Sequence, residues 1–334
     1  MFNVPTIWSA TARQSLCKCF CIQDLAMQRV KQLSMFSVRR DEHRDHGRFS
    51  PENDYTLYRG RGEDLLKQIT GRQAQLFVTS PPYNIGKRYE KRVSLDDYIA
   101  DQDNIIGKCI ERLSDSGSIC WQVGNHIQDG AVIPLDIMLY PLFAKRGLTL
   151  RNRIIWHFEH GLHCSRRLSG RHETILWFTW PGNNYTFALD PIRVPQKYPG
   201  KRYYKGPKSG QYSANPLGKN PGDVWIIPNV KHNHVEKTSH PCQFPVELVE
   251  RLVLALTRPG DLVVDPYMGS GSTAVAALLH ERRVAGADVV EDFIEIAEQR
   301  IHETLAGSIR TRPREREVYK PQGRLAENPF LPSP

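Results

Sequence analysis

The sequence predicts an α/β protein built on a doubly wound, parallel β-sheet, and three observations carry this. Its final third alternates short apolar runs with amphipathic helical stretches, the pattern of strands joined by crossover helices. One of those runs, Leu262-Val263-Val264, opens into a glycine-rich turn that leads directly into a helical stretch. Another, Leu76 to Thr79, is cut off by Ser80-Pro81-Pro82-Tyr83-Asn84. Two prolines cannot continue a central strand, so this segment is a loop at a strand's C-terminal end.

The elements follow in order. Residues 1–50 have no sustained period, are dense in charge from Arg39 to Arg48, and read as a poorly ordered basic leader. A helix is predicted from Glu63 to Ile69, ahead of the 76–79 strand. Leu95 to Leu113 reads as a helix, Gly117 to Val123 as a buried strand, and Val132 to Lys145 as a helix stopped by Gly147. Arg153 to Phe158 and Thr174 to Thr179 read as two strands joined by a basic loop. Residues 190–222 hold ten Gly and Pro after Arg193 and follow neither period, so they form an insert and not a core element. Order returns with a helix at Val246 to Leu256, the 262–264 strand, a helix at Thr273 to His280, a strand at Val284 to Ala287 and a helix at Asp292 to Thr304. One domain is therefore expected over 51–307, with an insert at 185–235 and a basic, Pro-rich tail over 308–334.

At 334 residues with 40% hydrophobic content, the chain can bury the core of one large α/β domain. Its net charge of +9 is unevenly spread: residues 193–222 alone hold seven Lys and Arg and no acid, and the two chain ends are also basic. Positive charge concentrated outside the core suits a polyanion, which releases counterions on binding. No apolar run reaches the roughly 18 residues of a membrane span, and the mildly apolar Cys17 to Ala26 holds Lys18 and Asp24 and makes a poor signal peptide. A cytoplasmic, nucleoid-associated protein with no membrane partner is expected. The seven cysteines show no CxxC pairing, and His232 and His234 read as part of a solvated loop, so no metal site is expected.

Two loops carry chemistry. Asp265-Pro-Tyr267-Met-Gly269-Ser-Gly271-Ser272-Thr273 lies between a strand and a helix, where glycines let the backbone approach a ligand and the helix start offers free N–H groups. Asp288 ends the next strand, where a carboxylate can accept hydrogen bonds from both hydroxyls of a ribose. No Lys follows the glycines, so the turn suits a phosphate-free nucleoside. The Ser80 loop suits activation of an aromatic amine, whose lone pair is delocalised into its ring. Acceptors on the N–H groups, here Ser80 Oγ and the Pro81 carbonyl, draw that nitrogen toward tetrahedral geometry, and Pro81 and Pro82 hold them in place. Tyr83 offers a flat face for a base flipped out of a duplex.

Thr79-Ser-Pro-Pro-Tyr-Asn84, followed at a distance by Asp265-Pro-Tyr-Met-Gly-Ser-Gly271, resembles the β-class amino-group DNA methyltransferases, in which the catalytic loop also precedes the cofactor loop. The resemblance runs from about Leu57 to Ile301 and includes Gly117 to Val123, Arg171-His-Glu173 and His240-Pro-Cys-Gln243-Phe-Pro245. It implies the S-adenosylmethionine-dependent methyltransferase fold: a seven-stranded, mostly parallel sheet with one reversed strand and an irregular target-recognition insert. It also implies a catalytic pocket of Ser80, Pro81, Pro82 and Tyr83, with Asp265, Gly269 and Gly271 at the methionine end of S-adenosylmethionine. Asp288 is then its ribose partner, and Tyr267, Ser272, Gln243 and Pro245 border the same pocket. Tyr267 stands where the family usually has Phe, and Phe244 where many members have Lys. Pro241-Cys242 matches the nucleophile dipeptide of C5-cytosine enzymes but lies ahead of the cofactor loop, where those enzymes do not place it.

The insert interleaves Arg193, Lys197, Lys201, Arg202, Lys205 and Lys208 with four tyrosines, a composition suited to phosphate contacts and stacking, and Arg166 and Arg167 add to it from the preceding basic loop. Double-stranded DNA is the expected substrate, and the resemblance admits a homodimer and a cognate restriction endonuclease as further partners. Ser80 at the head of the catalytic loop resembles enzymes that methylate N4 of cytosine. Pro-Pro-Tyr-Asn84 and parts of its flanks also resemble N6-adenine enzymes. RNA base methylation, and a DNA-binding protein without activity, are the remaining alternatives.

Overall fold

The computed structural model describes residues 47–84, 86, 92–161 and 163–314. The leader expected over 1–50 and the tail expected over 308–334 fall outside these residues except for 47–50 and 308–314. In chain order the strands are β1 (Tyr55–Arg59), β2 (Ala74–Thr79), β3 (Leu113–Val123), β4 (Asn125–Gln128), β5 (Ala131–Pro134), β6 (Thr149–His157), β7 (His172–Thr179), β8 (Val224–Ile226), β9 (Leu262–Asp265) and β10 (Arg283–Asp288). The helices are α1 (Gly62–Gln68), α2 (Leu95–Arg112), α3 (Leu135–Ala144), α4 (Val246–Leu256), α5 (Ser272–Leu278) and α6 (Glu291–Leu305).

Among the described residues, eight strands form one sheet in the order β1-β10-β9-β2-β3-β7-β6-β8. β7 runs antiparallel to both its neighbours, and every other neighbouring pair is parallel. The sheet is thus mostly parallel with one reversed strand, as the resemblance implied. It exceeds the expected seven strands by β8, a three-residue edge strand where the chain returns from the insert.

Every residue of β2 and of β9 is buried, because both faces of the sheet are covered, and this explains the apolar runs Leu76 to Val78 and Leu262 to Val264. On one face Leu76, Val78 and Val263 pack against α4, α5 and α6. On the other, Phe77, Ile119, Trp121 and Val264 pack against α1, α2 and α3. α2 begins where Ser94 Oγ accepts the Asp97 N–H at 3.1 Å, with Asp96 and Asp97 in its positive first turn.

Two sequence expectations are corrected. The helix read from Val132 starts only at Leu135, because Ala131–Pro134 pairs with Asn125–Gln128 as a hairpin. Its turn is Asp129-Gly130, both at positive φ as such hairpin turns require. The insert, read as lying outside the core, plants Ile192 in it, and Phe187 stacks on Trp177 with ring centroids 5.6 Å apart. Among the described residues no helix is long and apolar enough to cross a membrane.

Candidate active site

β2 and β9 are parallel neighbours, with Phe77 opposite Val264, so the Ser80 loop and the Asp265 loop leave the same edge of the sheet. This is the carboxyl edge, where open α/β sheets bind ligands. Asp265 locks the two loops together. Its Oδ1 accepts from Thr79 Oγ1 at 2.5 Å and from the Tyr267 N–H at 3.1 Å, and its Oδ2 accepts from Thr273 Oγ1 at 2.6 Å. It has no exposed surface, and burial pushes its pKa up to about 6 despite these donors. Asp265, Gly271 and the buried Pro245 are not among the residues that line the cavity beside these loops.

The remaining residues expected at the site meet around one cavity of about 800 Å³. Ser80, Pro81, Pro82 and Tyr83 form one side, and Tyr267, Gly269, Ser272, Asp288 and Gln243 lie around the rest. Gly269, at φ +52°, donates its N–H to Asp288 Oδ2 at 3.0 Å, while the Val290 N–H reaches Oδ1 at 2.9 Å. Each oxygen keeps a further lone pair, and burial holds the Asp288 pKa above its ordinary value. Gln243 shapes the wall through its own bonds: its amide donates to Glu236 O at 2.7 Å and accepts from Thr238 Oγ1 at 2.9 Å. Behind the glycine turn, the buried Arg300 donates to Ser270 O at 2.6 Å and to Ser272 Oγ at 3.1 Å.

At the other end, Ser80 Oγ lies 3.0 Å from Tyr83 OH, which donates to Glu173 Oε2 at 3.2 Å. Gln122 also donates to that carboxylate oxygen. Burial, and next the charge of Glu173, hold the Tyr83 pKa well above its usual range, so the phenol stays neutral. Glu173 and Gln122 both line the cavity, and sequence reading assigned neither a role. The signal was present in Arg171-His-Glu173, a patterned acid at the head of an apolar run, but its meaning depends on the direction of β7. Trp156 is 3% exposed and also borders the cavity.

None of the residues expected to contact DNA lines the cavity. Arg166 and Arg167 are exposed between β6 and β7, and Lys197, Lys201, Arg202, Lys205 and Lys208 are exposed on the insert. The Arg202 guanidinium stacks 3.9 Å from the Tyr212 ring centroid, and Tyr204 is 88% exposed. Arg193 differs from the rest. Its guanidinium is tied to Asp190 Oδ1 at 2.7 Å and to Gly218 O at 3.1 Å, which fixes the neck of the insert. Among the described residues no group of three His, Cys, Asp or Glu is placed to hold a metal ion.

The residues present fit a nucleoside-bearing donor. Asp288 has acceptor capacity for ribose hydroxyls, the glycine turn brings bare backbone to the cavity, and the Ser80 acceptors sit across the same space.

Residues 74–299 match the N6/N4 family described as DNA methylase. The type II methyltransferase M.BglII of Bacillus subtilis is 50% identical over 244 residues, which cover 73% of this chain and 68% of that protein. In structure the chain resembles the PvuII DNA methyltransferase (cytosine-N4-specific), with a TM-score of 0.57 and 19% identity over 76% of this chain and 94% of that one. It also resembles the Thermus thermophilus protein TTHA0409, solved in complex with S-adenosyl-L-methionine, with a TM-score of 0.53 and 24% identity over 75% and 96%. Those two likenesses bear on the fold. The match over 74–299 and the identity with M.BglII assign the chain to the N6/N4 DNA methylase family.

Proposed function

We propose that the protein methylates the N4 amino group of cytosine at specific sites in duplex DNA, as the modification partner of a restriction endonuclease in the cytoplasm. When bound, S-adenosylmethionine supplies an electrophilic methyl group. Asp288 holds its ribose, the backbone at Gly269 its methionine end, and Asp265 keeps the turn in place from behind. Ser80 Oγ and the Pro81 carbonyl accept from the amino group, which frees its lone pair, and Tyr83 supports the everted base. The exposed cations of the insert and of the 158–171 loop take the phosphates, and Arg193 fixes the neck of the insert.

The observation that carries the N4 reading is Ser80. Its hydroxyl is at the head of the loop and faces the cavity, and it is the residue type found there in N4-cytosine enzymes. Mass spectrometry of nucleosides from DNA treated with the protein and S-adenosylmethionine tests the reading. N4-methylcytosine is expected; N6-methyladenine alone would overturn the choice of base, and label entering only RNA would overturn the choice of substrate.

A further inference from the structure

We propose that Glu173 is the final proton acceptor of the methyl-transfer site, reached from the substrate amino group through Ser80 and Tyr83. The proposal rests on the amino-group reading above and adds the step that reading leaves open, the fate of the proton.

The fold brings Glu173 there for an identifiable reason. β7 is the reversed strand, so its first residues lie at the edge where the parallel strands end, and Thr174 pairs with Val123, the last residue of β3. Between them Gly124 leaves room: a Cβ at that position would lie 3.1 Å from the Tyr83 ring and 3.5 Å from Glu173 Cγ. The phenol and the carboxylate meet through that gap, giving an unbroken hydrogen-bonded line from Ser80 Oγ through Tyr83 OH to Glu173 Oε2.

The step balances without a further reagent. The amino nitrogen's lone pair forms the N–C bond as the C–S bond breaks, and that bond's electron pair stays on sulfur. The nitrogen is then cationic and must lose a proton. That proton passes to Ser80 Oγ as the Ser80 proton passes to the Tyr83 oxygen and the Tyr83 proton to Glu173 Oε2. Both hydroxyls are regenerated, and one proton has moved from nitrogen to carboxylate. A Tyr83 that stays neutral can donate and accept in the same event. The carboxylate is the last group in this line, and its anionic oxygen can accept the proton that the neutral phenol passes on. Gln122 from β3 donates to it, and Trp156 of β6, opposite it in register, is neutral. Titratable groups beside the relay include Tyr83 itself, Cys242, whose charge acts on the phenol, and His126 from β4, whose Nδ1 lies 3.3 Å from Tyr83 O. On its own strand Glu173 is preceded by His172, and by Arg171 just before the strand. Glu173 acts through Tyr83, so it is a positioning residue and not one that touches the base.

The test is the single-turnover rate of methyl transfer from tritiated S-adenosylmethionine to long unmethylated duplex DNA, from about pH 5 to about pH 9, for the wild type, Glu173→Gln, Glu173→Asp and Tyr83→Phe. General base action is worth roughly 10²- to 10⁴-fold. Glu173→Gln and Tyr83→Phe are expected to lose a factor in that range, and Glu173→Asp to recover part of it. The pH profile of the rate should differ between the wild type and Glu173→Gln, while the variant's affinities for the donor and for DNA, measured by calorimetry, stay within about 2-fold. A Glu173→Gln rate equal to wild type overturns the proposal, as does a slower rate that keeps the wild-type pH profile. Either result leaves the methyltransferase reading standing. A wild-type protein that binds no donor and labels no DNA removes both.

Discussion

Thr79 Oγ1 donates to Asp265 Oδ1 at 2.5 Å, across 186 residues of sequence. The residue that closes β2 is thereby bonded to the residue that closes β9. Since the Ser80 loop and the glycine turn begin one residue later, this bond and its partner from Thr273 set the distance between the two halves of the site.

The burial of Asp265 gives this link a pH signature. An acid whose pKa rises from 3.8 to about 6 on folding stabilises the fold fully below pH 3.8 and loses that contribution as pH climbs through about 6. A shift of that size is worth about 3 kcal/mol at neutral pH. Asp265→Asn keeps the shape, can still accept from Thr79, and lets the Thr273 hydroxyl turn to accept. Its unfolding free energy relative to wild type should therefore improve by about 2.5 kcal/mol between pH 4 and pH 7.5 in urea titrations. A difference that does not change with pH would mean that Asp265 does not titrate in this window.

Removing the reacting loop's hydroxyl or ring separates binding from chemistry. Ser80→Ala deletes one amino-group acceptor, and Tyr83→Ala deletes the stacking face along with the phenol bonded to Glu173. Neither residue bonds to the glycine turn or to Asp288 in the hydrogen bonds described above. Both variants should keep wild-type donor affinity by calorimetry while losing at least about 10²-fold in methyl transfer to DNA. Unchanged turnover in both would mean that the Ser80 loop is not where the base reacts.

The two reactive loops were legible in the sequence because each interrupts a strand with residues that have few structural uses there: prolines at 81 and 82, glycines at 269 and 271. The apolar run Leu262 to Val264 was legible because a strand covered on both faces carries apolar side chains on each side. Three things were hidden. Strand direction is set by tertiary pairing, so nothing in His172–Thr179 shows that β7 is reversed and carries Glu173 into the cavity. The burial of Asp265 depends on Thr79 and Thr273 converging from two other segments. Arg193 reads as one more cation of a basic insert until Asp190 and the Gly218 carbonyl are seen to close around it.

That last contrast separates phosphate contacts from structural ones. Lys205 is exposed, near Tyr204 on an exposed stretch, and Lys205→Ala should leave the thermal midpoint unchanged. If the side chain contacts a phosphate, the slope of log K for DNA against log salt should become shallower by about 0.9. Arg193→Ala removes two bonds that hold the neck of the insert, so it should lower the thermal midpoint and release the insert to limited proteolysis. Equal salt slopes in wild type and Lys205→Ala would take Lys205 out of the DNA interface.

Gly271 tests how closely the glycine turn must pack. It caps α5 at φ +76°, and a Cβ there would fall 2.9 Å from both Cα and Cβ of Ala297 on α6. Gly271→Ala therefore combines a left-handed backbone penalty with a backbone clash that no rotamer relieves, together about 2–6 kcal/mol. Because Gly271 stands between Gly269 and Ser272, the displacement should also weaken donor binding, read by calorimetry. A variant with wild-type stability and donor affinity would show that the turn can move away from α6 without consequence.

Arg312 sits beyond the last helix, yet it is 8% exposed and its guanidinium reaches Glu247 Oε2 on α4 at 2.6 Å. Its own N–H donates to Glu236 Oε1 at 3.0 Å, so this end of the described chain is stitched to the segment that leads into the cavity wall. Removing one partner of a buried pair leaves an uncompensated charge, at about 3–5 kcal/mol. Two features move Arg312→Ala toward the lower figure: Arg251 remains 3.5 Å from Glu247, and burial already raises the Glu247 pKa to about 7. Without Arg312 that pKa rises further, so near pH 6 Glu247 becomes neutral and the loss is small. An acid raised in this way contributes its stability at low pH and loses it as pH climbs through the folded value. The destabilisation of Arg312→Ala, measured in urea, should therefore grow from pH 6 to pH 8.5. A deficit that is constant across that range would mean that the packing of Arg312, and not its charge, holds this segment in place.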